Sequence, residues 1–214
     1  KRQSDISPTI FGAVFESTLN PETRRSGGMH YTSIENIHKV IDPLFLNDLR
    51  AELAEIQQIP VVRTRRSRLE AFQEKLAGLT FLDPACGSGN FLTETYLSLR
   101  RMENEIVRSL IDAREGRTKD QRDQITAGQI MWGITDSTVL EPIKVSIQQF
   151  YGIEINDFAA TVAKTALWIA ESQMMKQTEA IVHMPLDFLP LKSYVNILSL
   201  IHISEPTSLD VISY

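Results

Sequence analysis

The residues best suited to chemistry lie between Leu79 and Leu92, LTFLDPACGSGNFL, where an apolar run ends in Asp83 and opens into a loop of small residues. Pro84 to Gly89 carry little side-chain bulk, so the backbone can turn sharply and approach a ligand closely. An apolar strand, a glycine loop and a helix in succession present the free N–H groups of the helix start to a bound molecule. A second chemical candidate is Glu154, at the end of the apolar run FYGIEI. A carboxylate at a strand end can accept both hydroxyls of a ribose, or it can simply be solvated or cap a helix. Cys86, the sole cysteine, excludes an internal disulfide and reads as a small loop side chain, since no histidine is near it in sequence to activate it. His30, His38, His183 and His202 show no metal-ligand spacing. Arg63, Arg65, Arg66 and Arg68, in VRTRRSR, could touch phosphates, but a basic run without interleaved aromatics reads more simply as a solvated face or loop.

These candidates need elements to hold them. Leu79, Phe81 and Leu82 predict a buried parallel strand, and Ser88 or Asn90 can cap the helix that follows. Phe150 to Ile155 predicts a second buried strand. Asn156 or Asp157 can cap the next helix, in which Phe158, Val162, Thr165, Ala166, Ile169 and Ala170 recur at helical spacing. Upstream, Gly27 and Gly28 predict a turn before a helix capped by Thr32 or Ser33, with Glu35 placed for a capping box on Thr32. Gly89 and Glu154 are 65 positions apart, whereas a dinucleotide fold places its acid about 20 residues past the loop. The interval RRMENEIVRSLIDAREGRTKDQRDQ therefore predicts an insertion: a long helix, a polar connection over 116–123, and further helix through Ile130 and Ile143.

The loop D-P-A-C-G-S-G-N-F resembles the S-adenosylmethionine loop of adenine-specific DNA methyltransferases of the restriction–modification type. After Gly87 and Gly89 come Asn90 and Phe91, with no third glycine, which departs from the dinucleotide fingerprint. Two more segments resemble the same family in the same order: RRSGGMHYTSIENIHKVIDPLF and QQFYGIEINDFAATVAKTALWIAESQMM. The resemblance implies that Tyr31 and Thr32 touch the methionine end of the cofactor, although Ser33 stands where relatives often have proline. It implies that Asp83, Pro84, Ala85, Cys86, Gly87, Gly89, Asn90 and Phe91 form the cofactor loop, and that Glu154 and Ile155 hold the nucleoside.

By resemblance, the fold is α/β: an incomplete, doubly wound, Rossmann-like methyltransferase sheet preceded by a helical segment. The expected organisation is a helical segment over 1–75, a partial methyltransferase domain over 76–197 with a helical insertion at about 98–145, and a tail over 198–214. The chain starts at Lys1 rather than methionine, so upstream sequence is expected. Residues 198–207, LSLIHISEPT, resemble the translation of a transposase-type sequencing adapter, which predicts a non-native tail.

The implied activity is transfer of the sulfonium methyl to the exocyclic amino group of adenine in double-stranded DNA, with the base extruded from the duplex. In the resembled family that step uses an Asp/Asn-Pro-Pro-aromatic tetrapeptide, and these 214 residues contain none: Asn20-Pro21, Asp42-Pro43 and Asp83-Pro84 are each followed by a residue other than proline. Asp187, in MPLDF, precedes the expected adenine-contacting strand. The expectation is a cofactor-binding part that is inactive alone. A net charge of −5 places most DNA contact elsewhere in the complete enzyme. No apolar stretch is long enough to span a membrane, no signal peptide is evident, and a single cysteine suits a reducing cytoplasm. Two rival readings share parts of the pattern. A methyltransferase acting on RNA, protein or a small molecule would keep the loop and Glu154, while a nicotinamide oxidoreductase would prefer a third glycine and a shorter path to the acid.

Overall fold

A computed structural model describes residues 32–115, 142–186 and 195–199. Its helices begin with α1 (Ile34–Ile41), which runs through a π-helical turn (Asp42–Leu46) into α2 (Asn47–Gln57), followed by α3 (Val62–Gly78). Strand β1 (Phe81–Asp83) leads through the glycine loop into α4 (Asn90–Glu115). A 3-10 turn (Ile147–Gln149) precedes β2 (Phe150–Glu154), which is followed by α5 (Asp157–Val182) and β3 (Asn196–Ser199). The strands form a parallel sheet in the order β1-β2-β3, with Asp83 opposite Gly152 and Gly152 opposite Ile197. Two right-handed crossovers stepping the same way along a parallel sheet deliver their helices to the same face, and α4 and α5 do pack together there.

The alternation of side chains along the strands fixes which residues meet those helices. Phe81 stacks on Phe150 with ring centroids 5.2 Å apart, and Tyr96 of α4 meets Phe150 edge-on at 5.6 Å. Gly152 follows on the same face; a Cβ there would lie 2.8 Å from Cys86 Sγ, 3.1 Å from Leu92 Cδ1 and 3.2 Å from Ile197 Cγ1. The opposite face is open among the described residues, with Leu82 64% and Leu198 59% exposed and Tyr151 beside them. The expectation of a strand buried on both sides thus fails for Leu82. Parallel sheets are normally covered on both faces, and the described helices that cross over cover one.

Two local expectations change. The helix start near Thr32 is capped by Ser33, whose Oγ accepts from Asn36 N–H at 3.4 Å. Glu35 pairs instead with Lys39 at 3.0 Å, so the capping box on Thr32 is not formed. Ile143 is not helical, because Glu103 of α4 draws the backbone just after it in: its carboxylate accepts from Lys144 N–H at 2.7 Å and Val145 N–H at 3.1 Å. Ser146 then caps the 3-10 turn in a box with Gln149. Glu103 also accepts from Gln73 of α3 at 2.9 Å and pairs with the fully buried Arg100. This buried network, in which only Arg100 Nε of the Arg100–Glu103 pair lacks a partner, fixes where β2 enters the sheet.

Candidate functional site

The glycine loop is held at the carboxyl ends of β1 and β2 by its own backbone. Cys86 N–H donates to Ile153 C=O at 3.0 Å, continuing the ladder beyond β1, and Gly89 N–H donates back to Cys86 C=O at 2.8 Å. Asp83 turns the chain out of β1 by accepting from Ala85 N–H at 3.1 Å, an Asx-type turn. Gly87 and Gly89 sit at φ +54° and +77°, in the left-handed region that favours glycine. The two glycines differ in what surrounds them. A Cβ on Gly89 would be 2.7 Å from Ala163 Cβ and 3.0 Å from Ala163 Cα, so this glycine lets the loop lie against α5. A Cβ on Gly87 would have no atom within 4 Å, which leaves open space against this backbone for a ligand.

Glu154 is 8% exposed and closes the loop from the neighbouring strand. One carboxylate oxygen accepts from Gly87 N–H and the other from Asn156 N–H, both at 2.8 Å. An ionised carboxylate has about four acceptor positions, so two remain for a further pair of donors such as a diol. Asn156, rather than Asp157, caps α5, accepting from Phe158 and Ala159 N–H. Ile155 is 67% exposed beside the acid, an apolar surface at the mouth of the site.

Burial raises the Asp83 carboxyl above its ordinary range and the nearby Glu154 charge pushes the same way, while the Ala85 N–H opposes them. The Cys86 thiol is pushed up to about 12 by burial, with Asp83 and Glu154 adding to it. A thiol so far from ionisation is no nucleophile at neutral pH, which agrees with its packing against Gly152. Asp83, Pro84, Ala85, Cys86, Gly87, Gly89, Asn90, Phe91, Glu154 and Ile155 are thereby gathered around one loop and one strand end. Thr32 stands two residues ahead of α1, which packs against α4, the helix leaving the loop. Tyr31 and Asp187 lie outside the described residues.

Gly152 was not singled out by sequence reasoning as a contact residue; the signal available was a lone glycine inside a strand, which marks close approach of other atoms. The arginine run does not assemble a basic stripe. Arg65 donates to Ile59 C=O at 2.9 Å and Arg66 pairs with Glu70 at 2.8 Å, leaving Arg63 and Arg68 exposed on different sides of α3. Among the described residues no group of three or more His, Cys, Asp or Glu could hold a metal ion, and no helix is long and apolar enough to cross a membrane.

Comparison with known proteins places this geometry in company. Residues 59–201 match the family described as MmeI, DNA-methyltransferase domain. DNA methyltransferase A of Bacillus subtilis (strain 168) is 39% identical over 178 residues, 83% of this chain and 17% of that protein. A putative type II restriction enzyme and methyltransferase of Methanocaldococcus jannaschii is 25% identical over 187 residues, 78% of this chain and 14% of that protein. The solved structure of the type IIL restriction-modification enzyme MmeI in complex with DNA superimposes with a TM-score of 0.70 at 38% identity, over 91% of this chain and 23% of that one. The chain thus spans less than a fifth of the length of the two curated relatives.

Proposed function

The chain belongs to the MmeI DNA-methyltransferase domain family, and from that premise we propose that it forms the S-adenosylmethionine-binding part of a restriction–modification DNA methyltransferase acting on the exocyclic amino group of adenine. The observation that carries this reading is the pairing of an open Gly87 backbone with the Glu154 carboxylate at one loop. The open space at Gly87 admits a ligand against the backbone. The two unused acceptor positions of Glu154 suit a ribose diol, and Ile155 offers an apolar surface to an adenine ring. Thr32, with Tyr31 before it, serves the methionine end, its hydroxyl not being the cap of α1.

When bound, the cofactor supplies an electrophilic methyl group on a sulfonium. What these residues do is bind and orient it: the loop fixes the donor over the strand ends, and Glu154 aligns the nucleoside. Base activation is a separate task. The adenine amino lone pair is delocalised into the ring, so acceptors for its N–H groups and a stacking surface are needed, and these 214 residues lack an Asp/Asn-Pro-Pro-aromatic tetrapeptide. We therefore assign them donor binding without methyl transfer of their own, and assign the DNA duplex to the complete enzyme. The open face of the β1-β2-β3 sheet supports a doubly wound, Rossmann-like arrangement in that enzyme, since exposed Leu82 and Tyr151 call for a second layer. A cytoplasmic setting follows from this reading.

The test is equilibrium binding of S-adenosylmethionine to the protein and to Gly87→Val, with NADH as the competing class. Micromolar-range binding of the methyl donor, lost in the variant and not seen for NADH, is expected. Preference for NADH would favour the oxidoreductase reading, and equal affinity in Gly87→Val would remove the loop from the site.

A further inference from the structure

We propose that His38 is a positioning residue: through Glu94 it registers α1, the helix that follows Thr32, against α4, the helix that leaves the glycine loop. The inference rests on the donor-site reading above. His38 Nδ1 lies 2.8 Å from Asp42 Oδ1, and its Nε2 lies 3.3 Å from Glu94 Oε1. The same Glu94 oxygen accepts from Arg101 at 3.0 Å, and Arg50 of α2 pairs with Asp42 at 3.1 Å. Four charged side chains from three elements thus surround one imidazole.

The position of this contact is what gives it a function. His38 is four residues past Ile34, the start of α1, and Glu94 is four residues past Asn90, the start of α4. One helical turn therefore separates the contact from each helix start. Further along, His38, Arg50, Leu53 and Gln57 face Ser98, Arg101, Met102 and Glu105 across a cavity of about 410 Å³. The contact thus ties two helix starts, with Thr32 before one and the glycine loop before the other. Ile37 and Ile41 seat α1 in the core, and the polar latch is the contact that ties its His38 flank to α4. Glu94 has only 3% of its side chain exposed, and a buried carboxylate one turn from the loop is tolerated only when paired.

The experiment measures S-adenosylmethionine affinity of the protein by calorimetry, at a temperature where circular dichroism shows every variant folded. His38→Ala is expected to bind roughly tenfold more weakly, the scale of one hydrogen bond to a charged group. Thr32→Ala should also weaken binding, and the double variant should be no weaker than the worse single one, because His38 acts through the placement of Thr32. Amide hydrogen exchange should quicken over residues 34–41 and not over α5. His38→Gln, whose amide can still donate to Glu94, should recover most of the affinity and carries the test if His38→Ala does not fold. Additive losses, full affinity in His38→Ala or Thr32→Ala, or unchanged exchange over α1 would overturn the latch while leaving the donor site standing. Failure of the unaltered protein to bind S-adenosylmethionine would overturn both.

Discussion

Gly89→Ala should be far more damaging than Gly87→Ala, although both change a loop glycine at positive φ. In each case a left-handed alanine costs about 1–2 kcal/mol over glycine. At Gly87 that is the whole effect, since the new methyl meets no atom within 4 Å. At Gly89 the methyl would sit 2.7 Å from Ala163 Cβ and 3.0 Å from Ala163 Cα. Carbon atoms rest about 3.5–4 Å apart, so α5 and the loop must separate by about 1 Å. The backbone of a helix packed on α4 cannot swing away as a side-chain tip can, and overpacking of this kind costs about 1–3 kcal/mol. Gly89→Ala should thus lose about 2–5 kcal/mol, against about 1–2 for Gly87→Ala. Urea unfolding at 25 °C, with matched slopes, measures the difference. A double-mutant cycle sharpens it: Ala163→Gly removes the nearer clash, so Gly89→Ala should cost at least about 1 kcal/mol less in that background. Equal losses at the two glycines, or strict additivity with Ala163→Gly, would refute the packing argument.

Glu154→Ala should weaken S-adenosylmethionine binding by about 2–4 kcal/mol if the acid holds a diol. It should also lower the unfolding midpoint, because the Gly87 and Asn156 N–H groups lose their acceptor; full stability with full affinity would deny it both roles. Asp83→Asn keeps the acceptor for Ala85 N–H and removes a charge whose ionisation the fold resists. A raised carboxyl means that the wild-type penalty is present at neutral pH, starts to shrink as pH falls through the folded-state value and is gone below the ordinary carboxylate value. The variant's thermal midpoint should therefore exceed wild type near pH 7 and converge with it below about pH 3, and a gap that widens in acid would contradict this. Removing residues 198–214 should change stability by no more than a few tenths of a kcal/mol if LSLIHISEPT is an adapter translation; a loss of several kcal/mol would mark it as native.

The sequence was most informative where glycine, proline and a strand-end acid have few alternatives. The loop from Asp83 to Phe91, strands β1 and β2 and the Asn156 cap of α5 follow from local chemistry that tertiary structure reinforces, whereas β3 went unread. It was less informative where a partner distant in sequence decides. The apolar spacing singled out Val162, Ala166 and Ala170, which are buried, along with Phe158, Thr165 and Ile169, which are not, and it missed Ala163, Leu167 and Met174, whose burial is decided by the helix and sheet packed against α5. Ile143 fits a helical pattern but is drawn out of it by Glu103, forty residues away in sequence. Glu154 stands out in the sequence as a strand-end acid, but its burial and the two N–H groups that hold it are nothing periodicity can reveal. The His38–Glu94 contact joins residues 56 apart, and nothing local to either announces it.

The central claim, that the glycine loop and Glu154 form a methyl-donor site, is tested most directly by titrating the isotope-labelled protein with S-adenosylmethionine and following its backbone amide resonances. The account predicts saturable shifts centred on Gly87, Asn90 and Ile155, extending to Thr32, with the amides of α3 undisturbed. Shifts centred on any other part of the molecule, or none at saturating ligand, would contradict it.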